Sequence, residues 1–263
     1  MNSSTETPTF RIERRPLELR FRWTTLTARE WVTPDYVRVR LTGDDLVGFA
    51  SLGADDHIRV FFPDGETSTV EELRAAPSRE YTPLAWDADE GWLDLEFAVH
   101  GDQGVGAPWA AHAPLGSPAG VGGPRGSAVM AGRPDAWFLA GDETAVPAMR
   151  RFVGLMDADA VGRILIEVAG PDRELPLQNV PAGVSVSFVH RGDGPSGTAL
   201  AATLEGIGAD ERPDGAVFGF VAAEQAIVKS GRALLRERWA LPAEQIVVKG
   251  YWKRGEAEYH APH

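Results

Sequence analysis

The sequence predicts two domains, an antiparallel β-barrel over residues 17–131 followed by a doubly wound α/β domain over residues 132–255. In the first half, short runs of alternating apolar and polar residues are separated by turn residues. In the second half, buried strands alternate with amphipathic helices. The chain has 263 residues, of which 43% are hydrophobic and 24% charged, so it is long enough for two cores of ordinary size.

The elements of the first half follow from period-two patterns. Residues 1–16 are polar and are predicted to form a frayed arm. Strands are predicted within residues 21–41, where VRVRL is the clearest run, and at residues 57–62 (HIRVFF). A further strand at residues 92–99 places four apolar side chains on one face, namely Leu93, Leu95, Phe97 and Val99.

A Gly/Pro-rich stretch, residues 101–132, closes the barrel region. It contains GVGAPWAA at residues 104–111, where small residues would let the backbone approach a ligand. Pro108 suits the first turn of a short helix whose free N–H groups could face an anion. A plain loop explains these glycines equally well.

The second half begins with a buried strand at residues 136–140 (AWFLA). Asp142 and Thr144 then supply cap residues for a helix. That helix carries apolar residues at helical spacing, namely Met149, Phe152, Val153 and Met156. Further strands are predicted at 164–168, 184–189, 216–221 and 246–249, and further helices at 198–205 and 224–239. In such a sheet, ligands bind beyond the carboxyl ends of the strands.

Composition excludes several kinds of protein. The chain has no cysteine, which excludes disulfides, cysteine nucleophiles and cysteine-ligated iron–sulfur clusters. A formal net charge of −12 disfavours general nucleic-acid binding, and an anionic ligand would need a local basic patch. No apolar run is long enough for a membrane span, and the N-terminus lacks the apolar core of a signal peptide, so a cytoplasmic protein without membrane insertion is expected.

The run Arg79-Glu80-Tyr81-Thr82 is the strongest candidate for a cofactor site. On an extended backbone, Tyr81 and Thr82 point to opposite faces, so a flat ligand can meet the ring of one and the hydroxyl of the other. Arg79 points the same way as Tyr81 and can reach a phosphate. These are the requirements of a flavin dinucleotide, although an ordinary surface strand would also explain the four residues.

Together, these features resemble the ferredoxin-reductase superfamily and, more narrowly, the siderophore-interacting proteins, a family of FAD-dependent ferric-siderophore reductases. The resemblance rests on VRLTGDD at residues 39–45, DHIRVFFP at 56–63, GDETAVPA at 141–148 and GYWKRG at 250–255. No Gly-x-Gly-x-x-Gly run follows any predicted strand, so the nicotinamide cofactor is implied by the resemblance alone.

The resemblance implies an FAD site in the first half. Arg79 would neutralise an FAD phosphate, while Tyr81 lies against the flavin and Thr82 hydrogen-bonds near its N5, which makes Tyr81 and Thr82 the catalytic residues. Leu84 stands where the family usually has an arginine. The remaining FAD contacts would come from the glycine turn and its flanks, namely His100, Gly101, Gly104, Gly106, Ala107 and Trp109, with Ala107 at a position where serine is common.

The resemblance also implies an NAD(P)H site in the second half. Its nicotinamide pocket would be shaped by Gly141, Asp142, Glu143, Thr144 and Pro147. Helix capping is the simpler explanation for Asp142 and Thr144. Glu224, in the corresponding turn after a later strand, would touch the ribose, unless it is a solvated residue in the first turn of a helix.

An acidic protein needs local positive charge to hold an anionic ferric siderophore. Lys249, Trp252 and Lys253 combine cations with an aromatic surface and are predicted to bind this substrate. Electrons would pass from NAD(P)H, or from reduced ferredoxin, through FAD to Fe(III), so the protein needs no metal ligands of its own. Two alternatives remain: a non-catalytic siderophore-binding or iron-transfer protein on a degenerate flavoprotein fold, and an NAD(P)H–flavin oxidoreductase with another acceptor.

Overall fold

A computed structural model describes residues 10–99 and 104–256. Its first half consists of strands joined by turns and short helices. The strands are β1 (Phe10–Pro16), β2 (Phe21–Thr33), β3 (Tyr36–Thr42), β4 (Ile58–Phe61), β5 (Ser78–Tyr81), β6 (Ala85–Asp87), β7 (Trp92–Ala98), β8 (Pro118–Gly122) and β9 (Gly126–Gly132), and the helices are α1 (Val70–Ala75) and α2 (Gly106–His112).

Strands β2 to β8 form one antiparallel sheet in the order β5-β4-β8-β2-β3-β7-β6. Only residues 82–84 separate the two edge strands, β5 and β6, along the chain. The sheet therefore has to curve until its edges approach each other, as in a barrel. Period-two alternation along β3 buries Val37, Val39 and Leu41 inside it. The predicted antiparallel barrel is confirmed.

The second half is an α/β unit. Its elements are β10 (Ala136–Asp142), α3 (Val146–Val153), β11 (Val161–Val168), β12 (Gly183–His190), α4 (Thr198–Gly206), β13 (Val217–Glu224), α5 (Ile227–Arg232) and β14 (Ile246–Trp252). The strands pair in parallel in the order β12-β11-β10-β13-β14. Strand addition changes direction between β10 and β13, which is where doubly wound sheets form their ligand crevice.

The helices of the second half follow the predicted apolar patterns, with one change of boundary. Met149, Phe152 and Val153 are buried on α3, as predicted. The helix predicted over residues 224–239 starts later, because Glu224 is the last residue of β13, and α5 begins at Ile227. Each helix within residues 10–99 and 104–256 is too short or too polar to cross a lipid bilayer.

The expectation of a frayed N-terminal arm is wrong for residues 10–16. They form β1, which pairs with β9 from Phe10 opposite Gly132 to Pro16 opposite Gly126. The Phe10 ring is buried and meets the Phe218 ring of β13 edge-on, at 6.1 Å between centroids. One buried aromatic contact and a strand partner far along the chain stabilise a segment whose own composition is polar.

Two arginines of α3 hold the barrel against the α/β unit. Arg150 donates to the buried carboxylate of Glu96 on β7. Arg151 donates to the Ser51 carbonyl oxygen at 2.6 Å and to the Pro83 carbonyl oxygen at 3.3 Å. The second bond reaches the residue directly after Thr82. The junction between the halves therefore includes the end of the predicted flavin motif.

Candidate cofactor and substrate site

The predicted alternation holds for the part of the Arg-x-Tyr-Thr motif that lies on β5, and Thr82 is the first residue after that strand. Arg79 and Tyr81 are half-buried on β5, and Glu80 between them is exposed. The Tyr81 ring packs against Phe97, with 4.2 Å between centroids. Burial raises the pKa of the Tyr81 phenol, and the positive charge of Arg79 opposes that shift. Tyr81 is thus a neutral aromatic side chain with a guanidinium group nearby.

Helix α2 begins against the hydroxyl of Tyr81. A Cβ atom at Gly106 would overlap that hydroxyl and crowd the ring of Phe62, so a larger residue would push the helix away. Pro108 lies in the first turn, as predicted. Gly104 precedes the helix with a φ of 87°, in the left-handed region that favours glycine. The glycine turn and the Tyr81 ring therefore form one structural unit.

Trp109 adds a buried donor to this unit. Its ring lies 5.2 Å from the Phe62 ring, and its Nε1 has no hydrogen-bond partner within residues 10–99 and 104–256. Buried donors are normally paired, and an oxygen-rich dinucleotide would offer acceptors. Ala107 is half-buried in the same turn. The predicted contacts His100 and Gly101 lie outside the described residues.

These residues fit a flavin dinucleotide. The half-buried Tyr81 ring offers a flat apolar surface, Thr82 a hydroxyl, and Arg79 a positive charge. Gly106 brings a helix start, with its backbone N–H groups, close to the ring. Aromatic surface, polar edge and cationic group are the features that a ring system linked to a pyrophosphate requires.

The carboxyl end of β10 is buried and already rich in internal contacts. Gly141 has no space for a side chain, because a Cβ atom there would overlap the Ala222 carbonyl oxygen. Glu143 forms a bidentate ion pair with Arg191, at 2.7 and 3.0 Å. Pro147 occupies the first turn of α3. The predicted nicotinamide residues are thus tightly packed, and the Glu143 carboxylate is already paired within the protein.

Asp142 is the centre of this edge. Its Oδ1 accepts from the backbone N–H of Thr144 at 2.9 Å, and its Oδ2 accepts from Glu224 N at 3.1 Å and from Trp252 Nε1 at 3.0 Å. Helix capping, the simpler explanation, is therefore confirmed, and Asp142 also ties β13 and β14 to β10. Burial, and then the negative charge of Glu143, raise its pKa to about 6.

This raised pKa predicts a pH-dependent stability difference between the wild type and Asp142→Asn. A carboxyl whose pKa rises from 3.8 to about 6 on folding contributes stability below pH 3.8 and loses it as the pH rises through 6. Between these pH values, the free energy of unfolding of the wild type should fall relative to that of the variant by up to about 3 kcal/mol. Urea denaturation at intervals of half a pH unit measures this. A constant difference across the range would contradict it.

Glu224 is not the solvated helix residue that one of the sequence interpretations describes. It is 8% exposed at the end of β13. Its Oε2 accepts from Ala226 N at 2.6 Å and its Oε1 from Arg254 N at 3.2 Å. The carboxylate is buried because it closes the turn before α5 and holds the segment after β14. Contact with a ribose stays a prediction.

Strand β14 connects the two predicted sites. Lys249 Nζ donates to Oδ2 of the buried Asp55 at 2.5 Å, and the Tyr251 hydroxyl donates to Oδ1. Burial, and then the charge of Asp55, raise the pKa of Tyr251, and the nearby Thr82 side chain opposes that shift. Trp252, next along the strand, binds Asp142. The flavin motif and the carboxyl edge of the α/β sheet therefore meet at adjacent residues of one strand.

The predicted substrate lysines both have acidic partners. Lys249, 39% exposed, pairs with Asp55 of the barrel, and Lys253 pairs with Glu256. Trp252 is half-buried between them. Their positive charge is therefore partly compensated, and only a strongly anionic ligand would compete with the carboxylates.

Sequence reasoning missed three groups that organise this region: Asp55, Arg151 and the Glu167 carboxylate, which accepts from Gly197 N at 2.6 Å and from Leu200 N at 2.7 Å at the start of α4. Asp55 immediately precedes the DHIRVFFP run, so an acidic pair before a strand was the available signal. Glu167 had a similar signal, an acidic residue within the apolar run at 164–168, which is the buried part of β11. Neither sequence pattern predicts which residue the acidic side chain binds.

Comparisons with known proteins agree with this arrangement. Residues 25–128 match the family model described as the siderophore-interacting FAD-binding domain, and residues 134–255 match that of the siderophore-interacting protein. The chain is 31% identical to the ferric vibriobactin reductase ViuB of Vibrio cholerae over 248 residues, covering 88% of this chain and 90% of that protein.

Two further comparisons cover the fold and part of the sequence. The crystal structure of a siderophore utilization protein from T. fusca superposes with a TM-score of 0.82 at 32% identity, covering 95% of this chain and 98% of that one. The NADPH-dependent ferric-chelate reductase of Escherichia coli is 38% identical over 145 residues, which are 51% of this chain and 56% of that protein. The chain belongs to the siderophore-interacting protein family.

Proposed function

We propose that this protein is a flavin-dependent reductase that passes electrons from NAD(P)H through FAD to a ferric siderophore, releasing iron as Fe(II). The observation that carries the proposal is the meeting of the flavin motif with β14. Arg151 of α3 donates to the carbonyl oxygen of Pro83, the residue directly after Thr82, and Thr82 acts on the pKa of Tyr251. The next residue along β14, Trp252, donates to Asp142 of the predicted nicotinamide edge. A donor held at that edge and a flavin at the motif would be neighbours. In this proposal, residues 17–131 hold FAD and residues 132–255 hold the nicotinamide.

Each half has a separate task in this reaction. Bound FAD supplies the change from two-electron to one-electron transfer. Arg79 neutralises phosphate, Tyr81 supports the ring system, and Thr82 holds a hydrogen bond at its reactive edge. The unpaired Trp109 Nε1 and the close approach of Gly106 to Tyr81 support a dinucleotide at this place.

The α/β half orients the electron donor. We propose that Gly141, Asp142, Glu143, Thr144 and Pro147 position the nicotinamide at the end of β10, with Glu224 beside the ribose. The contacts among these residues fix their geometry before a donor binds, which reduces the entropy lost on binding. The Escherichia coli relative is an NADPH-dependent ferric-chelate reductase, which supports NADPH rather than ferredoxin as the donor.

The ferric siderophore is proposed to bind at the rim formed by Trp252 and Lys253, with Lys249 deeper toward the barrel. The names of the Vibrio cholerae and T. fusca relatives support this class of substrate. Iron arrives as the siderophore's cargo and is reduced while the siderophore holds it, so the protein needs no ligand set of its own. Fe(II) binds hard oxygen donors less tightly than Fe(III), which favours release after reduction.

Cofactor identity and electron flow test the proposal together. Purified protein, after incubation with excess FAD and desalting, is expected to release FAD rather than FMN on heating, as chromatography would show. Anaerobic NADPH should bleach the flavin absorbance, and a ferric siderophore should restore it while an Fe(II) chelator develops colour. As a control, the same siderophore loaded with redox-inert Ga(III) should leave the flavin reduced.

Three results would each overturn a different part. If the protein released FMN or no flavin, the proposed pyrophosphate site at Arg79 and Gly104 would be wrong. If the protein kept FAD but neither NADPH nor NADH reduced it, the proposed nicotinamide site would be wrong. Reduction by NADPH, followed by no reoxidation with any ferric siderophore, would point to another electron acceptor.

A further inference from the structure

The ion pair between Lys249 and Asp55 is the strongest feature that the proposed function leaves unexplained. Lys249 Nζ donates to Asp55 Oδ2 at 2.5 Å, and the Tyr251 hydroxyl donates to Asp55 Oδ1. The Asp55 side chain is 6% exposed, whereas that of Lys249 is 39% exposed. The lysine that is proposed to bind an anionic siderophore is therefore already paired with a carboxylate of the other half.

Asp55 is the fixed member of this pair. Its neighbour Asp56 holds the backbone in place by accepting four hydrogen bonds, from Ser51, Gly53, Ser127 and Ala128. Lys249, in contrast, carries its charge at the end of a flexible four-carbon chain, and that chain reaches solvent. The pair can therefore open by movement of the lysine, while the carboxylate stays where it is.

The pair leaves this part of the proposed siderophore site with almost no net charge. An anion near Lys249 interacts with the positive charge of the ammonium and with the negative charge of Asp55, and the two effects oppose each other. An oxygen of the ligand also competes with Asp55 Oδ2 for the donors of Nζ. The whole chain already carries a formal charge of −12, so this compensation weakens one of the few cations available to an anionic ligand.

The proposed reaction makes weak attraction useful. One electron passes from the reduced flavin to Fe(III), which becomes Fe(II), while the atoms of the siderophore are unchanged. The net charge of the bound complex therefore becomes more negative by one unit. An unpaired ammonium would attract this product more strongly than the substrate and delay its departure. A carboxylate beside the ammonium reduces that preference for the product.

We infer that Asp55 limits the affinity of the site for anionic siderophores by pairing with Lys249, so that the reduced complex leaves instead of being retained. Asp55 acts here as a positioning residue, through Lys249, and does not itself contact the siderophore. The inference rests on the proposed function, because it takes Lys249 as a contact of the siderophore.

The test measures the binding of gallium(III) siderophores, which have the charge of the ferric complexes and do not accept electrons from the flavin. Three catecholate dianions around Ga(III) give a trianion, whereas three hydroxamate monoanions give a neutral complex. Asp55→Asn should bind the trianion about five- to tenfold more tightly than the wild type, and the neutral complex within about twofold. Fluorescence titration of the FAD-loaded protein measures both. Asp55→Ser makes the same change of charge with a smaller side chain and should give the same gain.

Two controls separate the pairing of Lys249 from other effects. Glu256→Gln makes the same change of net charge at the exposed ion pair of Lys253, where water and salt screen the charges. Tyr251→Phe removes the other hydrogen bond of Asp55 and keeps its charge. Both variants should bind the trianion within about twofold of wild type. A gain as large as that of Asp55→Asn in either control would overturn the inference.

A double variant tests whether Asp55 acts through Lys249. Lys249→Gln should weaken binding of the trianion, and most of the gain from Asp55→Asn should disappear when both changes are combined. Steady-state reduction of the ferric tris-catecholate gives a second measurement. Asp55→Asn should lower both KM and kcat, because tighter binding of the reduced complex slows its release. A purely structural role would raise KM instead.

The outcomes distinguish this inference from the proposed function. If Lys249→Gln leaves the binding of the trianion unchanged, the proposed siderophore site is wrong, and the inference fails with it. If Lys249→Gln weakens binding but Asp55→Asn does not strengthen it, the inference alone is wrong and the proposed function stands. A gain that persists in full without Lys249, or a lower KM with an unchanged kcat, would also overturn the inference alone.

Discussion

Glu96→Ala is expected to lower the free energy of unfolding by about 3–5 kcal/mol, because it leaves the largely buried Arg150 guanidinium group without its counterion and the buried Tyr36 hydroxyl without its acceptor. The Glu96 side chain is completely buried. It accepts from Arg38 Nη2 at 2.8 Å, from Arg150 and from the Tyr36 hydroxyl at 3.1 Å. Since Arg150 belongs to α3, the loss should loosen the α/β half from the barrel. Urea denaturation followed by tryptophan fluorescence measures it.

Glu30→Ala is the matched control, because Glu30 is another acidic partner of Arg38. It lies 3.7 Å from Arg38 Nη1 and its side chain is 70% exposed. Exposed ion pairs contribute little, so the expected loss is below about 1 kcal/mol. Similar losses for the two variants would mean that water reaches Glu96 and that the buried charge cluster is not a strong contact between the halves.

Asp56→Ala is expected to lower the free energy of unfolding by a similar amount, about 3–5 kcal/mol, because it leaves several buried donors unpaired. Oδ2 of Asp56 accepts from the hydroxyls of Ser51 and Ser127 and from Gly53 N, at 2.5 to 3.0 Å. Oδ1 accepts from Ala128 N at 3.2 Å. The segment that carries Asp55 should lose its fixed position, so FAD retention should also fall. Denaturation and flavin content after desalting measure the two effects.

Ser127→Ala serves as the control for Asp56. It removes one donor to the carboxylate and one acceptor for Leu52 N, at 3.1 Å, while Asp56 keeps its other bonds. The expected loss is about 1–2 kcal/mol, with flavin content unchanged. If Asp56→Ala lowered the free energy of unfolding no more than Ser127→Ala does, the segment before β4 would be held by packing alone.

Local patterns were enough to predict most strands and their buried faces. Val37, Val39 and Leu41 alternate with arginines, and a strand with one buried face is the only regular structure that buries all three. The cap before α3 could also be predicted, because Asp142 accepts from the backbone N–H of Thr144, only two residues away. Such features depend on neighbours in sequence, which periodicity and capping rules describe.

The missed features depend on partners far along the chain. Asp55 and Tyr251 are 196 residues apart, and no local pattern states that they touch. The same applies to β1, whose partner β9 follows more than a hundred residues later. Lys249 shows the consequence for the site: its charge was visible in the sequence, but the carboxylate that compensates it was not.

The ribbon of β1 and β9 also affects how this family could be recombined. Phe10, from the first described strand, is buried in the same apolar core as Trp137 and Phe218 of the α/β half. A chimera that exchanges only residues 132–255 with those of a relative would pack Phe10 of this chain against aromatic core residues of the relative. Transferring the relative's first strand as well should make such a hybrid more stable. The exchangeable module is therefore discontinuous in sequence although it is compact in space.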